Sequence, residues 1–249
     1  MDIRETMLAT VEASPTAVAN HDKHEWLAIF TEDGIVNDPV GSALHQGDDQ
    51  LSRFYDTFIA PNNVAFHPDH DLVCGSTVVR DVTLEIGMSG DVTLMVPAHL
   101  RYELASPSRV AGLYAHWELP TMVGQMLGKG LGALPVSGQL SLRLLKNQGL
   151  GGSAGFAKGF RRAGAAEKRI AAEFLADAGA GSAVPVTYGA DDAVAASSIT
   201  DKLTGWQVGK TIAAGAYVTA TVTRGDERGV AMFEFAQRRL QNVRLYLEA

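Results

Sequence analysis

The chain has 249 residues, of which 46% are hydrophobic and 20% charged, with one cysteine and a net charge of −7 at pH 7. This composition is globular and excludes the disordered, collagen-like and disulfide-scaffold classes. The acidic net charge argues against a nucleic-acid-binding surface, and the lack of a long apolar run free of charges and glycine clusters argues against a membrane span.

The N-terminal segment is charged from residue 2 and has no continuous apolar stretch, so no signal peptide is predicted. The lone Cys74 cannot form an intrachain disulfide, and nothing in the sequence requires an oxidising compartment. A cytoplasmic location is therefore expected.

The charges are unevenly distributed, and this divides the chain into three parts. Residues 1–118 hold 18 acidic and 6 basic residues, residues 119–166 hold 6 basic residues and no acidic ones, and residues 167–249 hold 10 acidic and 9 basic residues. The segment 119–161 also contains ten glycines. Because glycine disfavours a long rigid helix, we expect a connecting region with short helical pieces there.

The first 60 residues predict helices with one short strand. Apolar residues recur at helical spacing at Ile3, Met7, Leu8 and Val11. Ser14-Pro15 then predicts an interruption, with the serine as the cap of a new helix. Three elements follow: a helix through Trp26 and Phe30 that closes at 32–34, a strand that starts at Ile35 and ends at Asp38-Pro39, and a helix that opens at Gly47.

From residue 64 the apolar period changes from 3.6 to 2, which indicates antiparallel strands. The predicted strands are a first one ending near Met88, a second from Val92 to about Glu103, and a third from Arg109 to Trp117, with a hairpin turn at 89–91. Residues 165–249 repeat the order of helices followed by strands in shortened form. Two helices (165–178 and 194–203) precede strands at 217–223 and 230–236 and a final strand through Val243. Helices followed by a meander predict an α+β fold.

The most informative stretch is Phe30 to Ser42, which reads FTEDGIVNDPVGS and is followed by Gly47 and by Arg53-Phe54-Tyr55. It resembles the segment that carries the catalytic base of the ketosteroid isomerases. These belong, with polyketide cyclases and small epoxide hydrolases, to the nuclear transport factor 2-like superfamily. The resemblance implies a cone-like sheet wrapped around helices, an apolar pocket, and Asp38 as the general base. Burial of such a carboxylate would raise its pKa towards working pH.

The resemblance also implies hydrogen-bond donors for the developing enolate oxygen, and here the sequence departs from the family. Ser14 stands in the place of a tyrosine on the first helix, and His99 stands in the place of a protonated aspartic acid on a later strand. His99 could donate one N–H, and Tyr55 matches a second tyrosine of the family network. Asp38, His99 and Tyr55 are thus the candidate catalytic residues. The candidate substrate-binding residues are Ser14, Phe54, Phe58, Leu113, Ala115 and Trp117.

Plainer interpretations remain open for each of these residues. Asp38-Pro39 is also typical of a turn after a strand, His99 is also typical of a buried histidine in a core, and Tyr55 would pack in a core by default. The run from His67 to Asp71 contains metal-ligand types, but Pro68 favours a polar entry to a strand. Neither this run nor the polar run His21 to His24 predicts a metal, and no cofactor is expected.

The sequence therefore predicts an α+β protein with three parts: a cone-like domain with a pocket (1–118), a basic glycine-rich helical connector (119–164), and a degenerate second cone-like domain without a site (165–249). The second copy would cover the first as a partner subunit does in dimeric relatives, giving an intrachain pseudo-dimer in a monomer or homodimer. Weak contact of 119–162 with a membrane surface is an open alternative to packing or to a pocket lid.

The leading functional hypothesis is isomerisation of a steroid- or polyketide-like ketone with Asp38 as the base. Alternatives are a non-catalytic binder of an apolar small molecule and an epoxide hydrolase or cyclase. The last would need a second carboxylate, for which Asp69 and Asp71 are the candidates.

Overall fold

The computed structural model describes residues 2–88, 92–128 and 163–248. The predicted turn at 89–91 and the connector from 129 to 162 lie outside these residues, and with them most of the segment considered for membrane contact. The described residues fold into two α+β units, which we call the first unit (2–128) and the second unit (163–248). No described helix is both long enough and apolar enough to span a bilayer.

The described residues of the first unit form four helices and six strands. Its helices are α1 (Ile3–Ala19), α2 (Lys23–Ala28), α3 (Asp48–Phe54, continued by a π-helical turn, Tyr55–Ile59) and α4 (Leu119–Gly128). Its strands are β1 (Phe30–Asn37), β2 (His45–Gln46), β3 (Asn63–Cys74), β4 (Thr77–Met88), β5 (Val92–Ser106) and β6 (Arg109–His116).

The second unit repeats this organisation in shorter form. Its helices are α5 (Ala165–Ala176) and the single turn α6 (Thr200–Leu203), with a 3₁₀ turn at Ala196–Ser198. Its strands are β7 (Pro185–Tyr188), β8 (Val194–Ala195), β9 (Gln207–Ala214), β10 (Tyr217–Arg224), β11 (Glu227–Ala236) and β12 (Arg239–Leu247).

The two sheets share one topology. The strand orders are β2-β1-β6-β5-β4-β3 and β8-β7-β12-β11-β10-β9, so the second sheet runs through its strands in the corresponding sequence. In each sheet the first long strand pairs in parallel with the last, and the remaining long neighbours pair antiparallel. The chain therefore contains two α+β units with the same sheet topology, of which the second is smaller.

The helices of the first unit pack on the inner face of its sheet. Alternate residues of β4 and β5, among them Val82, Leu84, Ala98 and Leu100, join Met7, Val11 and Trp26 of the helices in one core. Burying this apolar surface is the main favourable contribution to folding. The alternation predicted for β4 thus points its apolar side chains inward.

The outer face of the first sheet is covered by the second unit. Leu72, Cys74 and Val79 of the first sheet pack against Val230, Met232 and Tyr246 of the second. Both faces of the central strands are consequently buried: on β5, His99 is 0% exposed and its neighbour Leu100 is 3% exposed.

Helix α1 corrects the prediction of a break at Ser14-Pro15. It continues through Pro15 to Ala19, and Ser14 is buried within it. Proline in a helix interior removes one backbone hydrogen bond and costs about 3 kcal/mol. Here Val11 and Val18, on either side of Pro15, are buried in the same core, so packing holds the helix together across the proline.

Other predicted boundaries also change. Residues 32–34 lie inside β1 instead of closing a helix, and Pro68 lies inside β3 rather than before a strand. The helix predicted at 194–203 is a two-residue strand, a 3₁₀ turn and one turn of α6. Strands β7 and β9 were not predicted.

Candidate active site

An apolar cavity opens between the helices and the inner face of the first sheet. All six residues predicted to bind substrate line it: Ser14, Phe54, Phe58, Leu113, Ala115 and Trp117. Further walls come from Val18, Trp26, Ile59, Val64, Phe66, Leu84, Ile86, Met88, Val96, Leu100 and Met122. The polar groups are few, and Asp38 is the one carboxylate among the described lining residues, which also include Asn62 and Tyr102.

Asp38 follows the last residue of β1 and is held there by a structured loop. The Asn37 side-chain amide donates to the Ser42 carbonyl at 3.1 Å, and the Val40 N–H donates to the Ala115 carbonyl at 2.8 Å. These bonds tie both ends of the loop to the sheet. The sequence after β1 therefore fixes the Asp38 backbone at the cavity wall.

The Asp38 side chain meets Trp117 across the parallel pair of strands. The indole Nε1–H donates to Asp38 Oδ1 at 2.5 Å. Burial raises the pKa of Asp38 from 3.8 to about 6, and the Trp117 hydrogen bond opposes part of that rise. A carboxyl group with a pKa near 6 is ionised at neutral pH and basic enough to accept a proton from carbon next to a carbonyl.

Tyr102 is a cavity residue that the sequence analysis missed as a site candidate. It lies on β5 and is fully buried, and its hydroxyl makes no hydrogen bond of normal geometry among the described residues. Burial raises the pKa of Tyr102 to about 12, with Arg80 and the adjacent Ser14 hydroxyl acting in the opposite direction. The alternation along β5, which places residue 102 on the same face as residue 100, was the available signal.

His99 does not face the cavity, which corrects its prediction as an oxyanion donor. Its Nδ1 lies 2.7 Å from Thr219 Oγ1 and its Nε2 lies 3.0 Å from Thr221 Oγ1, both on the second unit. Asp81 is 3.5 Å from Nε2 and also contacts Lys210. Because strand residues alternate between faces, His99 lies on the outer face of β5 while Ala98 and Leu100 lie on the inner face. Burial lowers the pKa of His99, which favours the neutral ring.

Tyr55 is also placed outside the cavity wall, contrary to its predicted catalytic role. It packs 5.5 Å from the Trp26 ring, centroid to centroid, and its hydroxyl is buried without a hydrogen-bond partner among the described residues. Burial raises the pKa of Tyr55, and the charges of Asp22 and Asp56 raise it further. The ring therefore supports the wall formed by Trp26 rather than contacting a ligand.

The polar run from His67 to Asp71 does not converge on one point. His67 lies 2.8 Å from Glu85, His70 lies 3.1 Å from Glu248, and Asp71 binds the Arg80 guanidinium at 2.8 Å and 3.0 Å. No cluster of three or more potential metal ligands occurs in the described part of the chain. Asp69 and Asp71, considered as a second carboxylate for epoxide opening, do not line the cavity.

The second unit repeats the strand pairing that positions Asp38 but not the carboxylate. Asp38 lies two residues after Val36, and Tyr188 lies two residues after Val186. Each valine pairs with an inward-facing residue of the neighbouring parallel strand. The Tyr188 side chain is not a carboxylate, and its hydroxyl accepts a hydrogen bond from Arg224 Nη2 at 3.1 Å.

A turn of the second unit contacts the Asp38 loop. Gly215, between β9 and β10, has φ +55°, and a Cβ on it would lie 2.8 Å from Gly41 Cα and 2.9 Å from Gly41 N. The Ala213 N–H, two residues earlier, donates to Glu118 at 2.9 Å, and Glu118 directly follows Trp117. Both members of the Asp38–Trp117 pair are therefore adjacent to backbone that the second unit holds.

Comparison with known proteins finds a family model that matches part of the first unit. Residues 11–106, from α1 to the end of β5, match the model described as SnoaL-like domain. No curated protein matches the chain significantly.

Solved structures similar to the chain include a Delta 5-3-ketosteroid isomerase from Mycobacterium sp., 22% identical over 46% of this chain and 95% of that chain, with a TM-score of 0.44. Another is a Mycobacterium tuberculosis protein in complex with estradiol-17beta-hemisuccinate. It is 21% identical over 46% of this chain and 95% of that chain, with a TM-score of 0.44. A third is an LEH-like epoxide hydrolase from M. tuberculosis, 17% identical over 53% of this chain and 97% of that chain, with a TM-score of 0.45. The family match covers residues 11–106 of the first unit, including Asp38, so this part of the chain is similar to a SnoaL-like domain.

Proposed function

We propose that the first unit is an enzyme that moves a proton within an apolar, enolisable ketone, of steroid or polyketide type, with Asp38 as the general base. The observation that carries the proposal is the placement of Asp38: it is the one carboxylate among the described residues lining an apolar cavity, and its pKa is raised to about 6. A base with a pKa close to working pH combines ionisation with useful basicity.

The surroundings of Asp38 favour proton transfer over epoxide opening. Water activation for epoxide opening was expected to use a second carboxylate, and Asp69 and Asp71 are engaged elsewhere, by Lys210 and Arg80. The Trp117 N–H holds Oδ1 of Asp38, and Oδ2 would be the oxygen that takes a proton from carbon. The proton taken from the α-carbon would be returned at the γ-carbon, converting a β,γ-unsaturated ketone into its conjugated isomer.

The proposal is tested by adding a β,γ-unsaturated ketosteroid, or a monocyclic β,γ-enone, and following the ultraviolet absorbance of the conjugated product. We expect turnover by the wild-type protein and loss of at least about 10²-fold in Asp38→Asn, in line with the contribution of a general base. Asp226→Asn, at an exposed turn of the second unit, is the matched control and should retain full activity.

Two results would contradict the proposal. Retained turnover in Asp38→Asn would remove Asp38 from the reaction. Ligand-induced thermal stabilisation of the wild-type protein without any turnover would instead favour a binding protein that keeps the apolar cavity.

A further inference from the structure

The hydroxyls of Tyr55 and Tyr102 are buried in the first unit without a hydrogen bond of normal geometry among the described residues. Leaving a buried polar group unpaired costs about 1–3 kcal/mol, so each calls for an explanation. Tyr102 lines the cavity and Tyr55 does not. A bound molecule could therefore supply the missing partner to Tyr102 but not to Tyr55.

The surroundings of Tyr102 make this end of the cavity rich in hydrogen-bond donors. The Ser14 hydroxyl is adjacent to the Tyr102 hydroxyl, and Arg80 acts on it electrostatically. Arg80 is itself buried beneath α1, where it binds Glu12 at 2.6 Å and Asp71 at 2.8 Å, and its Nη1 has no partner among the described residues. The Ser14 and Tyr102 hydroxyls, which both line the cavity, can each donate a hydrogen bond, which suits an oxygen atom of a ligand.

We propose that the Tyr102 hydroxyl donates the hydrogen bond that binds the carbonyl oxygen of the substrate, with Ser14 beside it and Arg80 behind it. This assignment rests on the function proposed above. When Asp38 removes the α-proton, the electron pair of the C–H bond moves onto the carbonyl oxygen. Tyr102 keeps its own proton and stabilises that oxygen through the hydrogen bond until Asp38 returns the first proton at the γ-carbon.

The protonation states agree with these roles. Burial raises the pKa of Tyr102 to about 12, and the charge of Asp38 is close enough to raise it further. Tyr102 is therefore a donor at neutral pH, while Asp38, with a pKa of about 6, is ionised. The base and the donor carry the protonation states that enolisation requires.

The test compares Tyr102→Phe with Tyr55→Phe, which each delete one buried, unpartnered hydroxyl and leave the ring in place. One readout is turnover of the β,γ-unsaturated ketone. We expect Tyr102→Phe to lower kcat by about 10²–10³-fold, as removal of one oxyanion donor does. We expect Tyr55→Phe to change it less than about twofold, because its ring packing is preserved and its hydroxyl lies outside the cavity wall.

The second readout needs no catalysis. It is the affinity for 2-naphthol, whose oxygen resembles that of an enolate, relative to naphthalene, which has no oxygen. We expect a preference for 2-naphthol in the wild-type protein and in Tyr55→Phe, and its loss in Tyr102→Phe, while naphthalene affinity reports that the cavity is intact in all three.

The two readouts separate failure of the reaction from failure of the assignment. A wild-type protein without turnover whose naphthol preference depends on Tyr102 would reject the proposed isomerisation and support the donor role. Unchanged naphthol preference and unchanged turnover in Tyr102→Phe would overturn that role.

Discussion

Ionised Asp38 lowers the free energy of unfolding at the pH at which it would act as a base. Its pKa is raised from 3.8 to about 6, so ionised Asp38 is more stable in the unfolded chain than in the folded one. The folded state binds its proton more tightly, and stability therefore decreases as the pH rises from 3.8 through 6. A shift of about two units corresponds to roughly 3 kcal/mol at most.

We predict from this that Asp38→Asn raises the free energy of unfolding by about 1–3 kcal/mol at pH 7.5. The gain should shrink as the pH is lowered through 6 and vanish below 3.8, where the wild-type carboxyl is neutral in both states. Urea unfolding at several pH values measures it, with Asp226→Asn as the exposed control. A gain that does not vary with pH would contradict the desolvation of Asp38.

The contrast between Asp38 and His99 shows how far single residues could be predicted from the sequence. Asp38 was found because its neighbours form a recognisable string. His99 was misplaced because both faces of β5 are buried, one in the first core and one against the second unit. When both faces of a strand are buried, its apolar pattern does not show which face lines the cavity. Tyr102 was therefore passed over in favour of His99.

At the scale of elements, two hydrogen bonds of one side chain join α4 to β5. The Gln125 side chain accepts from the Met95 N–H at 3.2 Å and donates to the Met95 carbonyl at 2.8 Å, as a neighbouring strand would. The same helix carries Met122 in the cavity wall. The Gln125 side chain therefore links to β5 the helix that contributes Met122 to the cavity wall.

We predict that Gln125→Ala loosens α4 without unfolding the unit. Loss of two hydrogen bonds should cost about 1–2 kcal/mol locally, which makes opening roughly 5–30-fold more frequent. Hydrogen exchange of the segments 92–98 and 119–128 should quicken by that factor. Gln241→Ala, which removes a surface bond to the Arg239 carbonyl in the second unit, should leave these segments unchanged. Equal exchange in both variants would show that Gln125 does not hold the helix.

Helices and strands could be predicted where the local sequence pattern fits only one type of element. The period-two run of β4 and the helix opening at Gly47 follow from local sequence. The break predicted at Pro15 was wrong because the hydrogen bond that proline removes is a local effect. The core that keeps α1 continuous is formed with strands that are distant in the sequence. Strand β9 was missed because Gly209 and Lys210 interrupt its apolar alternation, and its position depends on pairing with β10.

At the scale of the whole molecule, the second unit contacts the loop of the first unit that positions Asp38. Gly215 touches the backbone of Gly41, three residues after Asp38. A larger residue at 215 would press on the loop that positions the carboxylate. Such an effect would reach the site from the second unit, although all the described residues lining the cavity belong to the first.

We predict that Gly215→Ala lowers turnover by about tenfold or more, because a displacement on the order of 1 Å in a catalytic group can cost that much. The matched control is Gly225→Ala, which has a similar φ of +59° but no atom within 4 Å of the added Cβ. Both variants carry the same left-handed strain, so a loss confined to Gly215→Ala isolates the contact with Gly41. Equal losses would mean that strain alone is responsible.

The outer face of the first sheet is covered by a sheet that belongs to the same polypeptide. A cover supplied by a separate subunit leaves when the protein is diluted below its dissociation constant, as mass action requires. Here the covering sheet is tethered at a fixed local concentration, so its association is a first-order process that dilution does not weaken. The environment of Asp38 should therefore be the same at nanomolar as at micromolar protein.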